Sequence, residues 1–166
     1  MFNITADVKE NDQALQAMQA ALYELENTLV LVGIPEDEAA RQDGHISNAA
    51  LLYIHSNGSP LNGIPARPVI EPALEDNKER LGEIMGKATK AAMAGDTTGM
   101  RQNLEKAGMA GQSAAKDWFT NPSNNFAPLQ EETRRRKEQR GSTVERPLID
   151  TSELRNSITY VLRDRQ

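Results

Sequence analysis

Two histidines, His45 and His55, are the only imidazoles in the chain. His55 stands near Tyr53 and Ser59 and invites a nucleophile reading. A triad needs an acid to orient the base, and no Asp or Glu occurs between Asp43 and Glu71. Gly58-Ser59-Pro60 also lacks the Gly-x-Ser-x-Gly spacing of a nucleophile elbow. No His, Asp or Glu pair has a recognisable metal-ligand spacing, and no glycine-rich phosphate loop is present. The chain has no cysteine, which excludes disulfides, thiolate chemistry and cysteine-based metal sites. The reading is therefore a protein that is not an enzyme, with no catalytic, cofactor-binding or metal-binding residues. His55 is read as a structural, hydrogen-bonding residue.

The remaining chemistry lies in the arginines. Arg134, Arg135, Arg136, Lys137 and Arg140 form a cationic run, yet Glu131, Glu132 and Glu138 stand among them. Mixed-sign runs at this spacing are usually solvated helix faces with i,i+4 pairs. Nucleic-acid contact through Arg134–Arg140 is the competing reading. Arg67 is different, because it sits between prolines in Ile64-Pro65-Ala66-Arg67-Pro68. Each proline fixes its own φ and pushes the residue before it toward extended backbone. This makes residues 64–68 a stiff strap. Arg67 would then either bind a partner's carboxylate bidentately or pair internally, with the strap only connecting helices.

The elements around the strap follow from periodicity and turn chemistry. Asp7 and Glu10 have capping-box spacing, and Val8, Leu15, Met18, Leu22 and Leu25 form one stripe of an N-terminal helix. Residues 28–34 read as a strand that is apolar on both faces, to be covered by the rest of the chain or by another subunit. Residues 35–47 read as an exposed loop. A short apolar run, 49–54, leads into turn-formers at 56–63. Glu71 to Met93 reads as a long helix with Pro72 in its first turn, with Leu74, Leu81, Ile84, Met85, Ala88 and Ala92 on its buried side. Gly95 stops it. Asp96 or Thr97 caps a second helix ending near Trp118, with Met100, Leu104, Ala107, Ala114 and Trp118 on one face. The two should form an antiparallel pair. Gly108 and Gly111 in the second helix mark close backbone approach. Trp118 and Phe119 close the apolar end. Residues 120–128 form a loop, and 129–140 an exposed charged helix. Asp150 caps a short helix starting at Thr151, with Ile149 and Leu154 as its staple. Residues 157–163 alternate as a strand that pairs with the strand at 28–34.

The fold class is therefore α+β and mostly helical, with a small antiparallel sheet, in one domain spanning 1–166. The net charge is −5, so no overall basic field draws the chain to nucleic acid or membrane. No apolar run approaches the ~20 residues of a membrane span. The first residues lack the pattern of a signal peptide, which fits a soluble protein made in a cytoplasm.

Two stretches also carry a family resemblance. Asn48 to Ile70 (NAALLYIHSNGSPLNGIPARPVI) and Pro147 to Val161 (PLIDTSELRNSITYV) resemble the signature blocks of tail-completion or neck proteins of long-tailed double-stranded DNA bacteriophages. The second block of that family reads roughly Leu-Ile-Asp-Thr-Gly-x-Leu-x-Asn-Ser-Ile and ends in a strand. Here Ser152 stands in place of the glycine and Val69 in place of a usual phenylalanine. The resemblance implies a structural virion protein that forms a homo-oligomeric ring of six or twelve copies at the neck or head-proximal tail end. Its role would be tail completion and head–tail joining. The implied neighbours are a head-completion or connector ring and tail terminator or tail tube proteins, with packaged DNA passing through without sequence recognition. A tail terminator or head-closing stopper is the nearest alternative within that class. Tyr53, Ile64, Pro65, Arg67, Pro68, Arg134, Arg135 and Arg136 are the residues expected to contact subunits or partners.

Overall fold

Backbone geometry around Gly95 shows how one long helix ends and the next begins. Gly95 has φ 73°, a left-handed conformation that glycine holds at no steric cost. The Asp96 carboxylate accepts from the Gly99 N–H at 2.8 Å, the N-cap bond that satisfies one orphan donor. The computed structural model of the protein describes residues 4–35, 46–139, 147–148 and 152–165. In order, the elements are α1 (Ile4–Asn27), β1 (Thr28–Gly33), α2 (Asn48–Asn57), α3 (Ile70–Asp76), α4 (Lys78–Met93), α5 (Thr97–Trp118), α6 (Glu131–Gln139), α7 (Glu153–Asn156) and β2 (Thr159–Asp164). The fold is mostly helical, with β1 and β2 paired in one two-stranded antiparallel sheet.

Several boundaries differ from the sequence expectation for local reasons. The first helix already begins at Ile4, one turn before Asp7, so Asp7 does not start it. The helix expected over 71–93 is two helices. Asn77 interrupts it, its Nδ2 donating to the Ala73 carbonyl at 3.0 Å, and this side-chain bond competes with continuation of the helix. The last short helix starts at Glu153, with Ser152 before it and no side-chain cap bond. Asp150, Ile149 and Thr151, expected at its start, lie outside the described residues. So do His45, Arg140 and most of the loop expected over 35–47.

Where the sequence suggests one domain, the fold groups into two compact units built from non-contiguous stretches. The first comprises Met1–Leu31, Lys78–Ala110 and Val161–Gln166. Its core is Ala21 from α1, Ala88 and Ala92 from α4, and Met100 and Leu104 from α5, with Leu22, Leu25, Val30 and Leu162 packed on it. Full burial of Met100 and Leu104 contributes about 1.5–3 kcal/mol each. Small alanines let helix backbones approach, and α1 runs along α4. The stripe expected on α1 packs in its C-terminal half, where Met18, Leu22 and Leu25 are half-buried around the fully buried Ala21; Leu15 is exposed. An exposed ion pair between Arg101 and Glu24 ties α5 to α1.

The second unit comprises Val32–Asn77 and Gly111–Tyr160. Its core joins Leu52 of α2, Val69, Ala73 of α3, Ala115, Trp118 and Phe119 at the end of α5, Leu154 of α7, and Ile158. Trp118 and Phe119 are thus the apolar closure the sequence suggested. Asn48, almost fully buried, donates to the Ser157 hydroxyl at 2.8 Å. The Arg155 guanidinium donates to the Lys116 carbonyl at 2.8 Å and faces Asp117 at 3.7 Å. These bonds fasten α7 to the C-terminal end of α5. β1, expected to be covered on both faces, is only half-buried, and its Leu31 is exposed.

Gly111 marks the close approach foreseen in α5. A Cβ there would lie 2.9 Å from a Val32 methyl and 3.2 Å from a Leu74 methyl. Gly111→Ala should lower stability by about 1–3 kcal/mol, the usual cost of overpacking. Urea unfolding of the variant checks this.

Candidate functional site

The loop after α2 is closed by its own hydrogen bonds. Ser59 N–H donates to the Ile64 carbonyl at 2.8 Å, and Ile64 N–H donates back to the Ser59 carbonyl at 2.9 Å. Between them, Pro60–Asn62 forms one 3-10 turn ended by Gly63 in left-handed backbone. The Asn62 amide donates to the Ser59 hydroxyl at 2.8 Å. The Gln130 amide reaches across to the Gly63 carbonyl at 2.5 Å. Gly58 is forced. Its φ is 73°, and a Cβ would stand 2.8 Å from the Ala66 nitrogen and 2.9 Å from the Ile64 carbonyl oxygen. At the tip of this loop Leu61 is fully exposed.

The strap beyond it is stiff, as its prolines require, and is anchored at Arg67. Arg67 N–H donates to the His55 carbonyl at 2.6 Å. The residue is 5% exposed. Nε donates to the Ala127 carbonyl at 3.0 Å, and Nη2 to the Pro128 carbonyl at 3.0 Å. The loop that presents those carbonyls is shaped by asparagines. The Asn121 side chain accepts from Ser123 N–H at 2.9 Å. The Asn124 amide donates to the Trp118 carbonyl at 2.9 Å, and Asn125 is left-handed. Burial disfavours the charged guanidinium and lowers its pKa below the ordinary arginine value, yet an arginine remains protonated in proteins.

Two clefts open beside the strap. The first, of about 500 Å³, is walled by Ile64, Pro65 and Arg67 of the strap, by His55 of α2, and by Arg136 and Lys137 of α6. Leu51, Leu129, Leu148 and Leu154 give it an apolar lining. The second, of about 510 Å³, is lined by Tyr53, Pro68, Val32, Leu52 and Ile70. Tyr53 and Pro68 are exposed there. The tertiary fold thus brings six of the eight expected contact residues to two neighbouring openings of one unit. Arg134 and Arg135 lie on the exposed face of α6 and line neither.

No family model, curated protein or solved structure matches this sequence.

The arginines of α6 are committed to the acids of their own helix. Arg134 faces Glu131 at 3.7 Å and Glu138 at 3.6 Å, and Arg135 faces Glu131 at 3.6 Å. Arg136 pairs with Glu132 one turn away. Such exposed pairs are weak, but each places a carboxylate where a phosphate would have to sit. Arg67 is spent on internal carbonyls. Of its two readings, the internal one describes its Nε and Nη2. Among the described residues, no group of three or more His, Asp or Glu side chains could hold a metal ion. No described helix is long and apolar enough to cross a membrane. Sequence reasoning missed Leu61, Gln130 and the cleft-lining leucines. Gln130 stands 67 residues from the Gly63 carbonyl it meets, and no local pattern announces that contact.

Two outcomes follow. Arg67→Lys should lower stability by about 1.5–3 kcal/mol, because an ammonium cannot reproduce the two-carbonyl fork; chemical denaturation reads it. The isolated protein should show no salt-sensitive duplex DNA binding at about 0.15 M salt by fluorescence anisotropy.

Proposed function

We propose that this protein is a structural virion component of a long-tailed bacteriophage, a subunit of a ring at the neck or head-proximal tail end. The observation that carries the reading is that the two blocks bearing the resemblance, more than 75 residues apart, pack into one core. Leu52 and Val69 of the first block meet Leu154 and Ile158 of the second, and the Asn48–Ser157 bond joins them.

A second feature supports it. Ser152 has φ 62° and ψ 4°, a left-handed backbone that costs a non-glycine residue about 1–2 kcal/mol. This is the position where the family pattern has glycine. A backbone that suits glycine at the family's glycine position is what common descent of the block would leave behind.

The work of such a subunit is geometric. A loop pinned by hydrogen bonds loses little entropy on docking, and its exposed Leu61 offers an apolar contact. In a closed ring many modest contacts repeat around the symmetry axis and add by avidity. The same surfaces would meet a connector ring on one side and tail proteins on the other.

Negative-stain microscopy of lysates from a phage lacking this gene tests the reading. Filled heads beside unjoined or abnormal tails, rescued by a plasmid copy, are expected. Complete, normal virions would overturn it. Independently, Ser152→Gly should raise stability by about 0.5–1 kcal/mol, the left-handed strain relieved less glycine's entropic cost, as read by thermal unfolding.

A further inference from the structure

We propose that the loop after α2 carries a self-modification site at Asn62–Gly63, where the asparagine deamidates through a cyclic imide at a rate governed by Ser59 and Gln130. Two Asn-Gly pairs stand here, Asn57–Gly58 and Asn62–Gly63. Asparagine is among the thermally labile residues. A following glycine has no Cβ, so its backbone nitrogen meets little hindrance in attacking the asparagine side-chain carbonyl carbon. The step needs only hydroxide and water. Hydroxide takes the Gly63 amide proton, and the nitrogen bonds to Asn62 Cγ. The Cγ–Nδ2 bond breaks, Nδ2 takes up a proton, and ammonia leaves. Water then opens the imide at either carbonyl, giving aspartate or isoaspartate, and nothing is oxidised or reduced.

The fold separates the two pairs. Asn57 ends α2, and its Nδ2 donates to the Tyr53 carbonyl one turn back at 2.9 Å. That bond directs the amide back along the helix, whereas the attacking nitrogen would come from the residue ahead. Gly58 is half-buried, and a Cβ there would stand 2.8 Å from the Ala66 nitrogen. Backbone rotation at 57–58 therefore displaces the strap. Asn62 and Gly63 are both exposed. Only the end of the Gln130 side chain, at 3.6 Å, lies within 4 Å of the Gly63 Cβ position, so rotation at 62–63 has room.

Three bonds slow the reaction at Asn62. Its Nδ2 donates to the Ser59 hydroxyl at 2.8 Å, which draws the amide away from the Gly63 nitrogen. The Gly63 N–H donates to the Pro60 carbonyl at 3.1 Å. The Gln130 amide holds the Gly63 carbonyl at 2.5 Å. Solvent-exposed bonds of a loop open at low free-energy cost, so they delay the attack without preventing it. The product places a new carboxylate beside the exposed Leu61 and on the wall of the 500 Å³ cleft, which Asn62 lines. The isoaspartyl form also adds one backbone carbon inside the loop that the Ser59–Ile64 bridge closes. Newly made protein thus presents a neutral loop tip, and aged protein an anionic one.

This inference stands on the loop and not on the virion reading; failure of either leaves the other untouched. The test incubates the full-length protein in mildly alkaline buffer and follows amide-to-acid conversion by peptide mapping with isoaspartate detection. Conversion should appear at Asn62 before Asn57 and should accelerate as pH rises. Ser59→Ala, alone and combined with Gln130→Ala, should keep the circular dichroism of the wild type and convert Asn62 several-fold faster. Asn62→Gln should remove the signal, and Asn57→Gln should leave it. Conversion at Asn57 first would overturn the proposal. So would an intact Asn62 after a free peptide of the loop sequence has fully converted, or an unchanged rate in the folded Ser59 and Gln130 variants.

Discussion

The second unit depends on the seating of one guanidinium. Arg67 holds the proline strap against the loop at Ala127 and Pro128 through two charge-assisted bonds. Hydrogen bonds to a charged group contribute more than neutral ones, and losing one partner strands buried acceptors. The strap enters α3 directly through Val69 and Ile70, and Val69 is fully buried in the core. The Arg67 fork therefore sets the entry of α3, the wall of one cleft and the rim of the other. An arginine serves where a lysine would not, because its rigid fork reaches two consecutive carbonyls at once.

The loop before the strap shows the same economy. Its hydrogen bonds are local, between Ser59, Asn62 and Ile64, apart from the one Gln130 supplies from far along the sequence. Local bonds make the loop's shape independent of any partner, and Gly58 allows the backbone to pass close to Ala66. Leu61 stands fully exposed on this loop. α6 contributes in the opposite way. Its charges are satisfied along its own axis, so the face with Arg134 and Arg135 is electrostatically quiet, while Arg136 and Lys137 turn to the cleft.

Low aromatic content shapes the first unit. Alanines at the interfaces of α1 and α4 allow close backbone approach, with Met100 and Leu104 as the large buried side chains. Gly95 serves the same end, since a Cβ there would stand 3.0 Å from that of Ala17. A two-stranded sheet alone is marginal in water. β1 and β2 persist because Val30 and Leu162 pack on the first core and Val32 on the second.

Local chemistry made much of this legible from the sequence. The mostly helical α+β class, the two strands, the Gly95–Asp96 junction, the buried face of α5 with Met100, Leu104 and Trp118, the close approach at Gly111 and the stiff strap all follow from periodicity, capping and proline geometry. These signals lie within a few residues of the structure they specify. What tertiary structure decided lies between distant residues. It chose the internal fork for Arg67, because the acceptors are backbone carbonyls that carry no side-chain signature. It broke the helix at Asn77 and left Leu15 of the α1 stripe exposed while Ala21, Leu22 and Leu25 met the core, since packing partners override modest propensities. It also brought His55, Arg67, Arg136 and Leu154 to one cleft. A sequence determines which residues can carry charge or enter a core; only the folded protein determines which of them share a wall.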